Sequence, residues 1–115
     1  MIPNEYIKEY RFPEYKITIN TGGEEFPMKD YNLDVWIDYN NKQYYFTFFT
    51  LNNIKSLFEK NKKEGECKSG LYFNCPDMII LEEISIENIK NTIDGLIEEF
   101  AIETFYCSSI NENKT

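Results

Sequence analysis

LDVWIDYNNKQYYFTFFT, residues 33–50, alternates apolar and polar side chains on both sides of an asparagine pair. Leu33, Val35, Ile37 and Tyr39 share one face, and Asp34, Trp36 and Asp38 share the other. Gln43 to Thr50 then continues in aromatic and β-branched residues. A period of two, broken by Asn40-Asn41-Lys42, predicts a β-hairpin. Working back, Tyr15, Ile17 and Ile19 alternate with Lys16, Thr18 and Asn20 until Thr21-Gly22-Gly23, which predicts a further strand. Residues 1–13, punctuated by Pro3 and Pro13, read as an irregular arm. Working forward, Thr50 is placed to cap a helix whose stripe Leu51, Ile54, Leu57 and Phe58 lies on the sheet, with Gly65 as its stop. Residues 71–83 predict another strand. Its run Met78-Ile79-Ile80-Leu81 has no polar face, as expected of a strand in the middle of a sheet. Ser85 then caps a second helix, with Ile84 and Ile89 positioned as a hydrophobic staple. The stripe of that helix is Ile86, Ile89, Ile93, Leu96, Ile97 and Phe100. Ala101 to Cys107 supplies a last strand. The expectation is one α+β domain over residues 1–107, mainly an antiparallel sheet with a central β-hairpin and two amphipathic helices, followed by a disordered tail over residues 108–115.

The 115 residues suffice for one hydrophobic core, 42% of them being hydrophobic and 17% aromatic. Twenty carboxylates against twelve cations leave a formal charge of -8, and there is no histidine. Mechanisms that move protons or bind metals through imidazole are thereby excluded. The negative balance opposes phosphate backbones and anionic lipids, so neither nucleic acid nor membrane is expected as a partner. Cys67, Cys75 and Cys107 are odd in number and lack metal-ligand spacing, so they read as structural thiols, with no disulfide framework and no zinc site. No apolar run reaches the roughly 18 residues of a membrane span, and the charged N-terminal dodecamer lacks the apolar core of a signal peptide, which predicts a cytoplasmic protein.

The motifs of catalysis are not found in the sequence. There is no phosphate-cradling glycine loop, no nucleophile elbow and no calcium loop. Asp34 and Asp38 lie four residues apart on one strand face, roughly 13 Å at about 3.3 Å per residue, too far to share a proton or a metal. No catalytic residue, cofactor or metal site is therefore expected. Charge is distributed unevenly instead. Residues 82–99 hold six carboxylates, Glu82, Glu83, Glu87, Asp94, Glu98 and Glu99, against Lys90 alone. An acidic helix face is ordinarily a solvated one, and it also suits docking of a basic protein. The candidate partner-binding residues are Glu83, Glu87, Asp94 and Glu98 on that helix and its approach, with Asp34, Trp36 and Asp38 on the hairpin as the second set.

The order of features in YYFTFFTLNNIKSL and GLYFNCPDMIILEEISIENIKNTIDGLIEE resembles that of small immunity proteins of bacterial polymorphic and contact-dependent toxin systems. The likeness covers roughly residues 33–99. It lies in the aromatic strand ending in Thr before a helix, in Gly70, Tyr72-Phe73 and Asp77-Met78-Ile79-Ile80, and in the acidic end with its capped amphipathic helix. The resemblance implies a cytoplasmic protein that binds and neutralises one cognate toxin, and the acidic helix face suits a basic toxin of the nuclease type. An adaptor module that pairs through a sheet edge or the aromatic hairpin is the alternative reading.

Overall fold

The computed structural model describes residues 4–109. After a single 3-10 turn at Asn4–Tyr6, the elements are β1 (Ile7–Arg11), β2 (Tyr15–Asn20), β3 (Asn32–Tyr39), β4 (Lys42–Thr50), α1 (Leu51–Glu64), α2 (Glu66–Gly70), β5 (Met78–Leu81), α3 (Ile86–Glu98), a second 3-10 turn (Ala101–Thr104) and β6 (Tyr106–Ser109). The strands form one sheet in the order β1-β2-β3-β4-β5, with β6 also paired to β4. All neighbours are antiparallel except β4 and β5. The domain is α+β, as the sequence predicts.

The hairpin has the expected register, with Leu33 opposite Phe48, Val35 opposite Phe46 and Ile37 opposite Tyr44. Its turn places Asn40 at φ 52° and Asn41 at φ 63°. A two-residue hairpin turn of matching twist needs that left-handed pair, and asparagine tolerates it. One face of the sheet is the core: Ile17, Ile19, Val35, Ile37, Phe46 and Phe48 have no solvent exposure. Helix α3 and the turn after it cover this face with Ile89, Ile93 and Ile102. Phe105 packs on Phe46 at 5.0 Å between ring centres. Ser85 Oγ accepts the Asn88 N–H at 3.1 Å, and Ile84 and Ile89 are both buried, as the capped and stapled start of the helix requires.

Five expectations need correction. The first thirteen residues are not an irregular arm throughout, because Ile7–Arg11 forms β1 against β2. Lys8, Glu9 and Arg11 are exposed there, so an edge strand with little to bury carries no clear alternation. Met78–Leu81 lies at the end of the sheet and not at its centre, and Ile80 is 47% exposed. The strand covered on both faces is β4, where Thr47, Phe48 and Phe49 are all buried.

The stripe of α1 does not lie buried on the sheet. Leu51 is exposed and Ile54, Leu57 and Phe58 are half-buried. The helix closes instead on α2, a single turn in which Cys67, Lys68 and Ser69 wind left-handed at φ 51–57°. Gly70 ends that turn at φ 80°, where an added Cβ would lie 2.9 Å from the Phe58 carbonyl oxygen and 3.0 Å from the Lys62 nitrogen. Only glycine permits that approach. Phe100 leaves the α3 stripe, since the helix stops at Glu98 and Phe100 takes a left-handed φ of 58° and is 76% exposed. Finally, the last strand starts at Tyr106 and takes in Ser108 and Ser109, which pair with Gln43 and Lys42. The domain thus extends past residue 107, and residues 110–115 of the expected tail lie outside the described residues.

This placement orders the cost of substitutions. Phe46→Ala empties a fully buried site and should lose about 3–5 kcal/mol of stability. Ile80→Asp, at an edge and half in solvent, should lose under about 1.5 kcal/mol. Denaturant titration of both variants measures the difference. Equal losses would place β5 inside the sheet.

Candidate functional site

The second face of the sheet is only partly covered. Where β4 meets α1, the loop after α2 lays Phe73 edge-on against Phe49 at 5.3 Å. Cys75 lies in the same loop. Burial, then the charges of Asp34 and Asp77, push its thiol above the ordinary value, which disfavours the thiolate that a nucleophile requires. Toward the hairpin turn no element among the described residues covers this face. The register aligns Thr18, Trp36, Tyr45 and Tyr106 in one row across β2, β3, β4 and β6. Trp36 and Tyr45 stack tilted with ring centres 5.5 Å apart. Together with Gln43, Tyr106 and Ser108 they line a shallow depression of about 370 Å³.

Carboxylates flank this aromatic row on both sides. Asp34 Oδ1 accepts hydrogen bonds from the Tyr45 hydroxyl at 2.9 Å and the Thr47 hydroxyl at 3.1 Å. Asp38 accepts the Gln43 side-chain amide at 2.8 Å and faces Lys16 at 3.3 Å. Both acids are thus held in place by neighbouring strands. Such a surface offers planar apolar area with anionic rims. Arginine or lysine side chains can stack on the rings while a carboxylate takes the charge.

The acidic helix lies on the other side of the sheet, so the seven candidate residues divide between opposite faces. Glu87 and Glu98 are exposed as periodicity predicts. Asp94 is not a free surface charge. It accepts the Tyr15 hydroxyl at 2.6 Å and pairs with Lys90 at 2.7 Å. These two bonds, the Lys90 one foremost, hold its carboxyl below the usual value. Lys90 also sits 5.3 Å above the Phe12 ring. Asp94 therefore pins α3 to the start of β2. Glu83 lies 3.9 Å from Lys29, a loose and largely exposed pair.

Sequence reading missed Tyr45, Tyr106 and Phe100 as surface residues. Tyr45 was legible, because it falls opposite Trp36 once the hairpin register is set. Tyr106 was not, since only the pairing of β6 with β4 brings it there. Among the described residues no three His, Cys, Asp or Glu side chains are grouped to hold a metal ion, and no helix is long and apolar enough to cross a membrane.

The Tyr15–Asp94 bond sets a pH dependence. The lowered Asp94 pKa contributes stability above the unfolded carboxylate value of about 3.9, and that contribution disappears as pH falls through the folded value. Burial, then Asp94, raises the Tyr15 pKa above its ordinary 10.0, so the tyrosine contribution is present below pH 10 and fades as pH rises through the folded value. Tyr15→Phe should therefore cost about 1 kcal/mol near neutrality, with the deficit closing at both extremes. Chemical denaturation from pH 2 to 11 follows the acid limb and the onset of the alkaline one, and a deficit constant with pH would discount the bond. No family model, curated protein or solved structure matches the chain.

Proposed function

We propose that this chain is an immunity-type inhibitor, a cytoplasmic protein that neutralises one cognate toxin domain by direct contact through the open face of its sheet. The observation that carries this reading is the row Trp36–Tyr45–Tyr106, with Asp34 and Asp38 beside it, on a sheet face that the fold leaves uncovered at that end. Rigid aromatic side chains around a depression are the usual anchors of a protein interface. Their acidic rim selects a basic counterpart, and a toxin that acts on nucleic acid is basic at its substrate groove. Filling that groove blocks the substrate without any chemistry by the inhibitor. The resemblance over residues 33–99 supports the same reading from the sequence side.

The charge of -8 and the exposed Glu87 and Glu98 on the far side of the sheet have a different part. They contribute to the field that draws a cationic partner in, and they do not touch it. Docking and steering thus fall to different faces.

Co-expression with an adjoining toxin gene, combined with binding kinetics, tests the division. Trp36→Ala and Tyr106→Ala should each weaken the complex by about tenfold or more through faster dissociation, and should abolish protection of cells at low expression. Glu87→Lys with Glu98→Lys should slow association only, and less so at high salt. If the aromatic variants protect as well as the parent, the open face is not the contact. If no toxin gene adjoins this one, the immunity reading fails.

A further inference from the structure

Among the described residues the sheet has three outer strands, β1, β5 and β6, and the first two are built differently. Strand β1 presents Lys8, Glu9 and Arg11 along its length. Such charges are the usual means by which a sheet edge refuses further strands. Strand β5 is Met78-Ile79-Ile80-Leu81, with no charge, no proline and no bulge. The Asp77 carbonyl accepts the Thr47 N–H at 3.1 Å, which fixes the phase of the parallel ladder. Ile79 and Leu81 direct their backbone groups to β4, and the N–H and C=O groups of Met78 and Ile80 point away from it. Among the described residues no further strand pairs with this edge. The antiparallel bridge between Met28 and Ile84 lies beyond the end of the strand.

We infer that the β5 edge is a docking site for an extended segment of a partner protein, which adds as a further strand beside Met78–Leu81. Its free donors and acceptors, repeating every second residue, fit only an extended backbone. The side chains define that segment further. Half-buried Met78 and exposed Ile80 face the same side of the sheet as Thr47 and Phe49, so apolar residues suit the two positions opposite them. Glu82 and Glu83 follow the strand directly, so an antiparallel segment meets them with its first residues, and lysine or arginine there completes the match. The same charge argues against a second copy as occupant, because an antiparallel pair of these strands would bring Glu82 of each chain near Asp77 of the other between two chains of -8. This inference rests on the reading of the chain as a protein-binding domain, and it concerns a surface separate from the Trp36 depression.

The probe is a capped seven-residue peptide that begins Lys-Arg and then alternates threonine and valine, titrated into the full chain and followed by amide NMR and hydrogen exchange. The expected result is protection of the Met78 and Ile80 amides on binding. A peptide N-methylated at alternate residues, on its edge-facing amides, should bind at least about tenfold more weakly, since each lost backbone bond costs about 1 kcal/mol. Ile80→Pro should abolish binding with little change in melting temperature, because that N–H bonds nothing inside the sheet. Should this variant fail to fold, the N-methylated peptide makes the same test on the unaltered chain. Binding indifferent to N-methylation, shifts centred on β1 or on Trp36, or no binding at millimolar peptide would overturn the inference. Protection of the same amides by concentration alone would assign the edge to a second copy and overturn it too. Toxin protection by the Ile80→Pro variant is read separately, so the edge can fail while the inhibitor reading stands.

Discussion

The structure depends on the burial of β4. Its nine residues have β3 along one edge and share the other between two strands, β6 beside Lys42–Tyr45 and β5 beside Thr47–Thr50. Phe46 falls between the two and packs on Phe48 and Phe105. At its end, Thr50 is wholly buried and serves three elements at once. Its hydroxyl accepts the N–H groups of Tyr31 and Asn53, both at 3.1 Å, and its own N–H donates to the Tyr31 carbonyl at 3.0 Å. One residue thus closes the strand, caps α1 and anchors the loop into β3. A buried donor without a partner costs about 1–3 kcal/mol, so these bonds leave the chain little choice in how it exits the sheet.

The surfaces follow from that constraint. Two short strands shared along one side of β4 cannot both be long, and β5 ends the sheet with four residues. A single helix of thirteen residues, α3, covers one face. The other is closed only near Phe49 and Phe73, which leaves Trp36, Tyr45 and Tyr106 in the open. The open face and the free edge both arise because one long strand is served by short partners.

What the sequence made legible was whatever depends on neighbours along the chain. The β3–β4 hairpin, β2, the caps at Thr50 and Ser85, the Gly65 stop and the Ile84–Ile89 staple are all local patterns. What it hid depends on pairing between distant segments. Both Met78–Leu81 and Tyr44–Thr50 are nearly continuous in apolar or aromatic residues, and composition does not say which is the trunk; length does, because nine residues can accept two partners along one edge and four cannot. β1 was hidden by the charges that an outer strand needs. Among the site residues, Trp36 was legible as an aromatic between acids, whereas Asp94 was misread. The period of α3 turns it outward, and only the approach of Tyr15 from β2 shows that its charge is engaged.

That engagement changes how the acidity of the chain bears on binding. Of the four candidate carboxylates on and before α3, Asp94 is bonded to Tyr15 and Lys90, and Glu83 has Lys29 for company. Glu87 and Glu98 are left as exposed charges, too few and too well solvated to hold a partner, since an exposed pair contributes about 1 kcal/mol or less. Asp34 and Asp38 differ in their setting on the sheet, although Asp38 too has a lysine, Lys16, at 3.3 Å. Each is fixed by hydrogen bonds from the adjoining strand and lies beside ring faces that are themselves half-buried. A cation that reaches them loses less side-chain freedom to a prearranged site and is partly shielded from water by Trp36 and Tyr45. A charge in that setting is worth more than one on an open helix. On the proposed reading, acidity across the molecule would govern how often a basic partner arrives, and the held carboxylates whether it stays.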